Sequence, residues 1–424
     1  MSEDSILIIS SDGHAGAPMK DYRPYLDPQY REEFDDFLVE WDQHGSRNFD
    51  RPALTNRLDM EFVDEWSERM VDTGRVDGYT DPAARLKEQE REGVCAEVLF
   101  PDFGLPFELY NKSLALLKGR APVDAEHKQA AARAFNRWVA DFVGEAPDRF
   151  AAMGFVSWHR GAEDAVADIR AAHASGLKGI VLPDFNPRMP LYHPDFEPVW
   201  QVLDELGMIV NSHAGFSSTS DEAIIAPGSP HPACAFRTFN AEFQFMCRNL
   251  LSHLVWGGVL ERYPNLKFVF TEMTSAWVLN TLLEMDYIYD GSYYRTDYKE
   301  VIKSKPSDYF ARQCYLGSSI FSRAEVAARH RIGMDKMMLG MDFPHHEGTL
   351  LESTKVYLRA TLGAEGVPLD EARRLLAGNA AEVYGFDTDR LAPIAAEIGF
   401  KPDDILTAPE EDLFPRGDVR KPLC

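Results

Sequence analysis

The sequence has few basic residues for its length, no long apolar run and no paired-cysteine motif. Of its 424 residues, 44 are Lys or Arg and 68 are Asp or Glu, which gives a formal net charge of −24. Proteins that bind nucleic acids, or that are held on anionic lipid by basic side chains, usually carry the opposite charge. We therefore expect a small-molecule substrate, with neither nucleic acid nor a membrane as a partner.

Signals for export and for disulfide bonding are also missing. No stretch approaches the ~18 consecutive apolar residues of a membrane span, and the start, Met1-Ser2-Glu3-Asp4, lacks the basic residues of a secretory signal. The five cysteines are an odd number and include no CxxC pair. A disulfide framework or a structural zinc knuckle is therefore not expected, and a cytoplasmic location is favoured.

Apolar segments alternate with helical ones along the chain. The clearest helical segment is 124–144, in which apolar side chains recur at three- and four-residue steps and Asp124 is a candidate N-cap. Eight short apolar runs predict buried strands: Ile6–Ser10, Ala96–Phe100, Ala151–Val156, Gly179–Leu182, Met208–Asn211, Lys267–Phe270, Cys314–Leu316 and Met337–Leu339.

Eight buried strands separated by helices are what a (β/α)8 TIM barrel, an α/β fold, requires. The rival fold is a doubly wound open sheet. A glycine-rich phosphate loop after an early strand would favour that rival, and the sequence contains none. We therefore predict a barrel.

The length allows two or three domains, or one large barrel with insertions. The candidate ligands described below are spread from one end of the chain to the other, which favours the single barrel. We predict that residues 1–388 form it, with insertions at about 18–83 and 102–123 over the barrel mouth. Residues 389–424, which contain five prolines, are predicted to be an extended arm that wraps the barrel or a neighbouring subunit. We expect a homo-oligomer, a dimer.

Ionisable residues directly follow several of the predicted strands. Asp12 and His14 follow the first run, His213 the fifth, Glu272 the sixth and Asp342 the eighth. Barrel enzymes carry their catalytic residues at these strand ends. Carboxylate oxygen and imidazole nitrogen suit Zn²⁺, Mn²⁺ or Fe²⁺, and a set without cysteine favours a reactive site over a structural one.

These motifs resemble the amidohydrolase-related family of metal-dependent barrels, in the branch that includes aminocarboxymuconate-semialdehyde decarboxylase and resorcylate decarboxylases. The resemblance runs from Ser11–His14 to Gly378–Phe386. Its most specific parts are Asn265–Glu272, which is similar to the family's sixth strand, and Gly340–His345, which is similar to its eighth. Gly257–Pro264 resembles the helix that precedes strand six. The resemblance implies a divalent ion, zinc before manganese or iron, on four ligands: Asp12, His14, His213 and Asp342.

One position departs from the family pattern. Many members carry a histidine at the end of strand six, where this sequence has Glu272. Glu272 is open to four interpretations: an extra ligand, a general base, a partner for a cationic substrate group, or a residue that orients a ligand. His345 fits the family's Asp-aromatic-Pro-His pattern and is expected to be a proton or hydrogen-bond donor. Asp342 is expected to bind the metal and to accept a proton from water.

Four further residues are candidate substrate contacts. His159 follows the third apolar run, His346 follows the Asp342 motif, Arg237 is placed to clamp a carboxylate, and Phe216 lies in a segment suited to an apolar pocket. Each has a plainer alternative as a core or surface residue.

The leading hypothesis is a metal-dependent hydrolase of an amide, ester, lactone or C–C bond. The alternative is a carboxy-lyase that decarboxylates an aromatic or enoic acid without oxidation. We rank it lower because the acid usual in that reaction is the missing strand-six histidine. Hydration of a double bond belongs to the same chemistry. A non-catalytic binding protein with a vestigial site is the weakest alternative, because all four ligand positions are kept.

Overall fold

The structure is a computed structural model that describes residues 5–55, 58–102, 104–108, 123–183, 189–214, 216, 245–291, 295–319, 321–348 and 353–409. Eight parallel strands pair in chain order, each with the next. They are β1 Ile9–Ser10, β2 Ala96–Leu99, β3 Phe150–Phe155, β4 Gly179–Val181, β5 Ile209–His213, β6 Phe268–Thr271, β7 Cys314–Ser318 and β8 Met337–Leu339.

The two outermost strands of this sheet also meet. The amide of Ser11, just after β1, donates a hydrogen bond of 2.7 Å to the carbonyl oxygen of Leu339 in β8, and Gly13 forms an isolated parallel bridge with Phe343. The predicted TIM barrel is confirmed, and each of the eight predicted apolar runs contains or overlaps a strand.

Helices connect and surround the strands. The Asp124 side chain accepts a 2.9 Å hydrogen bond from the amide of His127, so it caps its helix as predicted. The α-helices are Arg31–His44, Arg51–Leu54, Met60–Trp66, Pro82–Glu92, Ala125–Gly144, Ala162–Ala174, Glu197–Leu206, 245–256, Val259–Arg262, Trp277–Asp290, Pro306–Gln313, Arg323–Ile332, Thr354–Leu358, Leu369–Arg373, Asn379–Tyr384, Thr388–Ile398 and Pro402–Leu406.

Two apolar layers follow from the alternation of side chains along the strands. Ile8 and Leu99 face outwards and pack with the helices in the larger core. Their neighbours along the chain, Ile9 and Val98, face into the barrel interior. Tyr384, from the helix Asn379–Tyr384, joins this interior and donates a 2.9 Å hydrogen bond to Asn211 of β5.

The segment predicted as the first insertion packs on the loop that follows β8. Phe343, directly after Asp342, belongs to a third apolar cluster with Phe49, Trp66 and Tyr79. The segment therefore reaches the strand end that carries a candidate ligand. Its assignment as an insertion stays a prediction, and most of the second predicted insertion lies outside the described residues.

The C-terminal segment is helical where it is described, as Thr388–Ile398 and Pro402–Leu406. The predicted extended conformation is therefore wrong for these residues. Their helices are stabilised by capping and by the burial of apolar side chains. The Asp387 carboxylate caps the first helix, and Ile405 of the second is fully buried. The division of the chain at residue 388 stays a prediction. In the described part of the chain, no helix is both long and apolar enough to cross a membrane.

Candidate metal centre

Two carboxylates and two imidazoles from three strand ends meet at the barrel mouth. Nε2 of His213 lies 3.3 Å from Oδ1 of Asp12. Nε2 of His14 lies 4.0 Å from the same oxygen and 3.3 Å from Oδ1 of Asp342. All four side chains are at most 1% exposed. The structure therefore brings the four candidate ligands together in two overlapping groups, Asp12 with His14 and His213, and His14 with Asp342.

Both imidazoles are oriented by hydrogen bonds on the side away from this centre. Nδ1 of His14 lies 2.9 Å from the carbonyl oxygen of Pro101, and Nδ1 of His213 lies 3.0 Å from that of Ala214. A carbonyl oxygen only accepts, so a proton on each Nδ1 would complete these hydrogen bonds and would leave each Nε2 with a lone pair for a metal. This outer hydrogen bond is the usual companion of a metal-binding histidine.

The donor atoms fit a divalent cation. Within the described ranges, three buried atoms of the candidate ligands make no hydrogen bond: the two carboxylate oxygens of Asp342 and Nε2 of His14. Bonds of 2.0–2.2 Å to one ion hold two ligand atoms about 3 Å apart at right angles and about 4 Å apart across the ion. The separations of 3.3–4.0 Å lie in this interval. A divalent metal is therefore supported by this site.

Two of the strand ends adopt a backbone conformation that is uncommon outside glycine. Glu272 has a φ of 57° and Asp342 a φ of 53°. Left-handed backbone costs free energy for residues with a side chain and concentrates at functional sites. The surrounding pairing holds it in place: the Glu272 amide donates a 2.9 Å hydrogen bond to Gly317, and the Asp342 amide donates one of 3.0 Å to Asp12.

Two glycines give the ligand strands room to approach each other. A Cβ at Gly340 would lie 2.5 Å from Cβ of Asp12. A Cβ at Gly13 would lie 2.1 Å from Oε1 of Glu97 and 2.7 Å from Nη2 of Arg85. A larger residue at Gly13 would therefore displace the buried pair of charges that lies behind Asp12 and His14.

Burial and neighbouring charges shift the pKa values of two carboxyl groups at the site. Burial by itself raises the pKa of Asp342, but the neighbouring imidazoles of His345 and His14 outweigh it, and the pKa falls below its ordinary value. Removal from water, followed by the charges of Asp342 and Asp12, raises the pKa of Glu272 well above its ordinary value. The concentration of acidic groups favours a cation at this position.

Glu272 contacts the outer side of a ligand. Its Oε2 lies 3.3 Å from Nδ1 of His213, the nitrogen turned away from the other donors, and its side chain keeps 23% of its surface exposed. This geometry favours the interpretation as a proton-moving or ligand-orienting residue over that as an extra ligand.

His345 is buried beside the four candidate ligands, and its ring lies against a carboxylate that the sequence analysis missed. Nδ1 of His345 lies 3.0 Å from Oδ1 of Asp342, and Nε2 lies 3.3 Å from Oδ2 of Asp102. Asp102 follows β2 and is 1% exposed. The end of the apolar run at Phe100 was the signal that could have found it, because the strand-end rule that selects Asp12 applies there too.

The four candidate substrate contacts have different outcomes. Arg237 lies outside the described residues. Phe216 is partly buried, and its ring centre lies 5.7 Å from that of His213. His346 packs beside Phe62 and Trp66 at 6.0 and 6.5 Å between ring centres. His159 is exposed, four residues beyond the end of β3. Phe216 therefore borders the candidate ligands, while substrate contact by any of the four stays a prediction.

Comparisons with solved structures place the fold among known barrels. An amidohydrolase from Mycobacterium avium subsp. paratuberculosis K-10 has a TM-score of 0.61 at 20% identity, covering 90% of this chain and 99% of its own. The 5-carboxyvanillate decarboxylase of Sphingomonas paucimobilis has a TM-score of 0.58 at 18% identity, with coverages of 90% and 100%.

A third similar structure is the dihydroxybenzoic acid decarboxylase of Polaromonas sp. JS666, which holds manganese and the inhibitor 2-nitroresorcinol. Its TM-score is 0.54 at 16% identity, and the match covers 90% of this chain and 97% of that one. At these identities the likenesses establish the fold. No curated protein matches the sequence significantly.

The family is established by sequence. A family model described as amidohydrolase matches residues 107–386, about two thirds of the chain. The matched region includes β3 to β8 and the candidate ligands His213 and Asp342. The chain therefore belongs to the amidohydrolase family and is an enzyme of that family.

Proposed function

We propose that this enzyme is a metal-dependent hydrolase of a small organic substrate with an amide, ester, lactone or C–C bond. The observation that carries the proposal is the convergence of Asp12, His14, His213 and Asp342. Donor atoms lie 3.3–4.0 Å apart in three pairs: Asp12 with His213, Asp12 with His14, and His14 with Asp342. A divalent ion bound there supplies a water of lowered pKa and polarises a carbonyl oxygen.

The chain's own residues divide the remaining work. Asp342 presents two oxygens that no described group hydrogen-bonds, so one can bind the ion while the other accepts a proton. Glu272, partly exposed at the mouth, is placed to exchange protons with a leaving group. Phe216 contributes an apolar edge beside His213. A positioned acid or base of this kind contributes about 10²–10⁴-fold to a rate.

Decarboxylation of an aromatic or enoic acid is the second candidate. It is supported by the solved decarboxylases of the same fold, one of which holds manganese and an aromatic inhibitor. It ranks below hydrolysis because Glu272 replaces the histidine that usually supplies the acid. A panel of amides, lactones and hydroxybenzoic acids, assayed separately for hydrolysis products and for released CO2, decides between the two.

The test of the shared basis is metal analysis followed by Asp342→Asn. The wild-type protein should bind a divalent ion and turn over a member of the panel, and the Asp342→Asn variant should lose turnover at least 10²-fold. A protein that binds no metal after incubation with Zn²⁺ or Mn²⁺, or a fully active Asp342→Asn variant, would refute the proposal.

Three finer points complete the proposal. We propose zinc as the ion, because imidazole and carboxylate ligands suit it, with manganese as the competitor. We propose a cytoplasmic location, in keeping with the buried free thiols of Cys95 and Cys314. We also propose a dimer, which light scattering on the purified protein tests directly.

A further inference from the structure

His345 has the surroundings of a metal ligand. Nδ1 of His345 lies 3.0 Å from Oδ1 of Asp342, which is the separation of two ligand atoms at about a right angle on one ion. His14, Asp342 and His345 each offer an atom within 4.8 Å of the others, and all three residues are buried.

The three imidazoles at this site share one arrangement. His14 and His213 each turn one nitrogen to a backbone carbonyl and the other to the ligand carboxylates. His345 turns Nε2 to the Asp102 carboxylate at 3.3 Å and Nδ1 to Asp342. A carboxylate on the outer nitrogen is one of the usual partners of a metal-binding histidine.

Neighbouring residues of one loop hold two of these rings. The carbonyl of Pro101 accepts from His14, and the carboxylate of Asp102, the next residue, contacts His345. The two rings stack with their centres 4.1 Å apart and their planes at 25°. The loop after β2 therefore sets the orientation of both imidazoles at once.

We propose that His345 binds the metal through Nδ1 together with His14 and Asp342, and that Asp102 is a positioning residue that holds the ring through Nε2. This inference rests on the metal site of the proposed function but not on the reaction assigned to it. A group whose two nitrogens are engaged in this way is not the proton donor, and that role falls to Glu272.

The experiment measures metal affinity by competition with a chromogenic chelator, using Zn²⁺ and Co²⁺, for the full chain. His345→Gln and Asp102→Asn should each weaken binding about 10–100-fold. The double variant should be no weaker than His345→Gln alone, because Asp102 acts through that ring. The visible spectrum of the Co²⁺ form should also change in both single variants, since it reports the ligand set.

Two matched variants separate this effect from general damage. His173→Gln removes an exposed histidine from the outer helix Ala162–Ala174. Asp168→Asn removes a buried aspartate that pairs with Arg133 and Gln129 on the outer helices. Both controls should keep the wild-type affinity and Co²⁺ spectrum. If either control loses affinity as much as the two site variants, the effect is not specific and the proposal fails.

Other outcomes also decide the question. His345→Gln with unchanged affinity and spectrum but lost turnover would overturn the proposal and restore the proton-donor role. Additive losses in the double variant would overturn the positioning role of Asp102. If the wild-type protein binds metal and the two site variants lose affinity as expected, but the wild-type protein hydrolyses nothing in the panel, the proposed reaction is contradicted and this ligand assignment stands.

Discussion

Arg85 donates a hydrogen bond of 2.8 Å from Nη1 to the carbonyl oxygen of His14. The same guanidinium lies 3.8 Å from the ring centre of Phe343, the residue after Asp342. Its Nε donates a 2.8 Å hydrogen bond to Glu97 of β2, which balances the buried charge. The buried Arg85 side chain therefore contacts the two strand ends, after β1 and β8, that carry three of the candidate ligands.

Replacing Arg85 should destabilise the fold and weaken metal binding together. Arg85→Met leaves the Glu97 carboxylate buried without its charged partner, beside the Gln89 amide that still donates to it, and breaking such a pair costs about 3–5 kcal/mol. Urea unfolding should show this loss. Arg170→Met, which breaks an exposed pair with Glu205, should cost at most about 1 kcal/mol. Equal losses in the two variants would contradict the supporting role.

If Arg85→Met does not fold, the double variant Arg85→Met, Glu97→Gln tests the same idea. Removing both charges avoids the uncompensated carboxylate, so the double variant should be more stable than the single one. A double variant that is no more stable would show that packing, and not charge, explains the loss.

Gly13→Ala should damage the metal site without adding or removing any charge. The new Cβ would meet Oε1 of Glu97 at 2.1 Å, so Glu97 and its partner must shift, at a cost of about 1–3 kcal/mol. We expect metal affinity and thermal stability to fall together. Gly144→Ala is the control, since nothing lies within 4 Å of its Cβ. Full metal occupancy in Gly13→Ala would contradict this account.

Glu272→Gln should separate turnover from metal content. Glu272 contacts the outer nitrogen of His213, so its carboxyl group is not needed to hold the ion. Metal stoichiometry should stay at the wild-type value while kcat falls about 10²–10⁴-fold, the contribution of an acid or base. Elemental analysis and steady-state kinetics on one preparation measure both quantities. Metal lost in proportion to activity would identify Glu272 as a ligand instead.

Removing the metal should lower thermal stability. Two buried aspartates, Asp12 and Asp342, lie 0% exposed at the site, and an ion that binds only the folded state adds about 4 kcal/mol at a thousandfold excess over Kd. Chelation should lower Tm, and addition of Zn²⁺ or Mn²⁺ should restore it, more strongly for the resident ion. A Tm that chelation does not change would show that the carboxylates are compensated by protein groups alone.

The sequence predicted the barrel because each buried strand corresponds to a short run of apolar residues. Each of the eight strands overlaps an apolar run, and a parallel sheet covered by helices needs such runs. The same local signal predicted where the candidate ligands Asp12, His14, His213 and Asp342 lie, since each ends or follows a buried strand. The C-terminal helices were not predicted, because the prolines of this segment, among them Pro393 and Pro402, indicate an extended chain when the sequence is considered alone. Pro402 is instead the first residue of its helix, where proline is tolerated.

By itself, the sequence determined the alternating strands, the strand-end acids and histidines, and the family. Only the tertiary structure decided which atoms meet. It turned Nε2 of His14 and His213 inward and set Glu272 at the outer nitrogen of His213. It also placed Asp102 and Arg85 behind the candidate ligands. These relations join strands that are distant in the chain. They depend on side-chain direction and on a shared barrel axis, which no local pattern encodes.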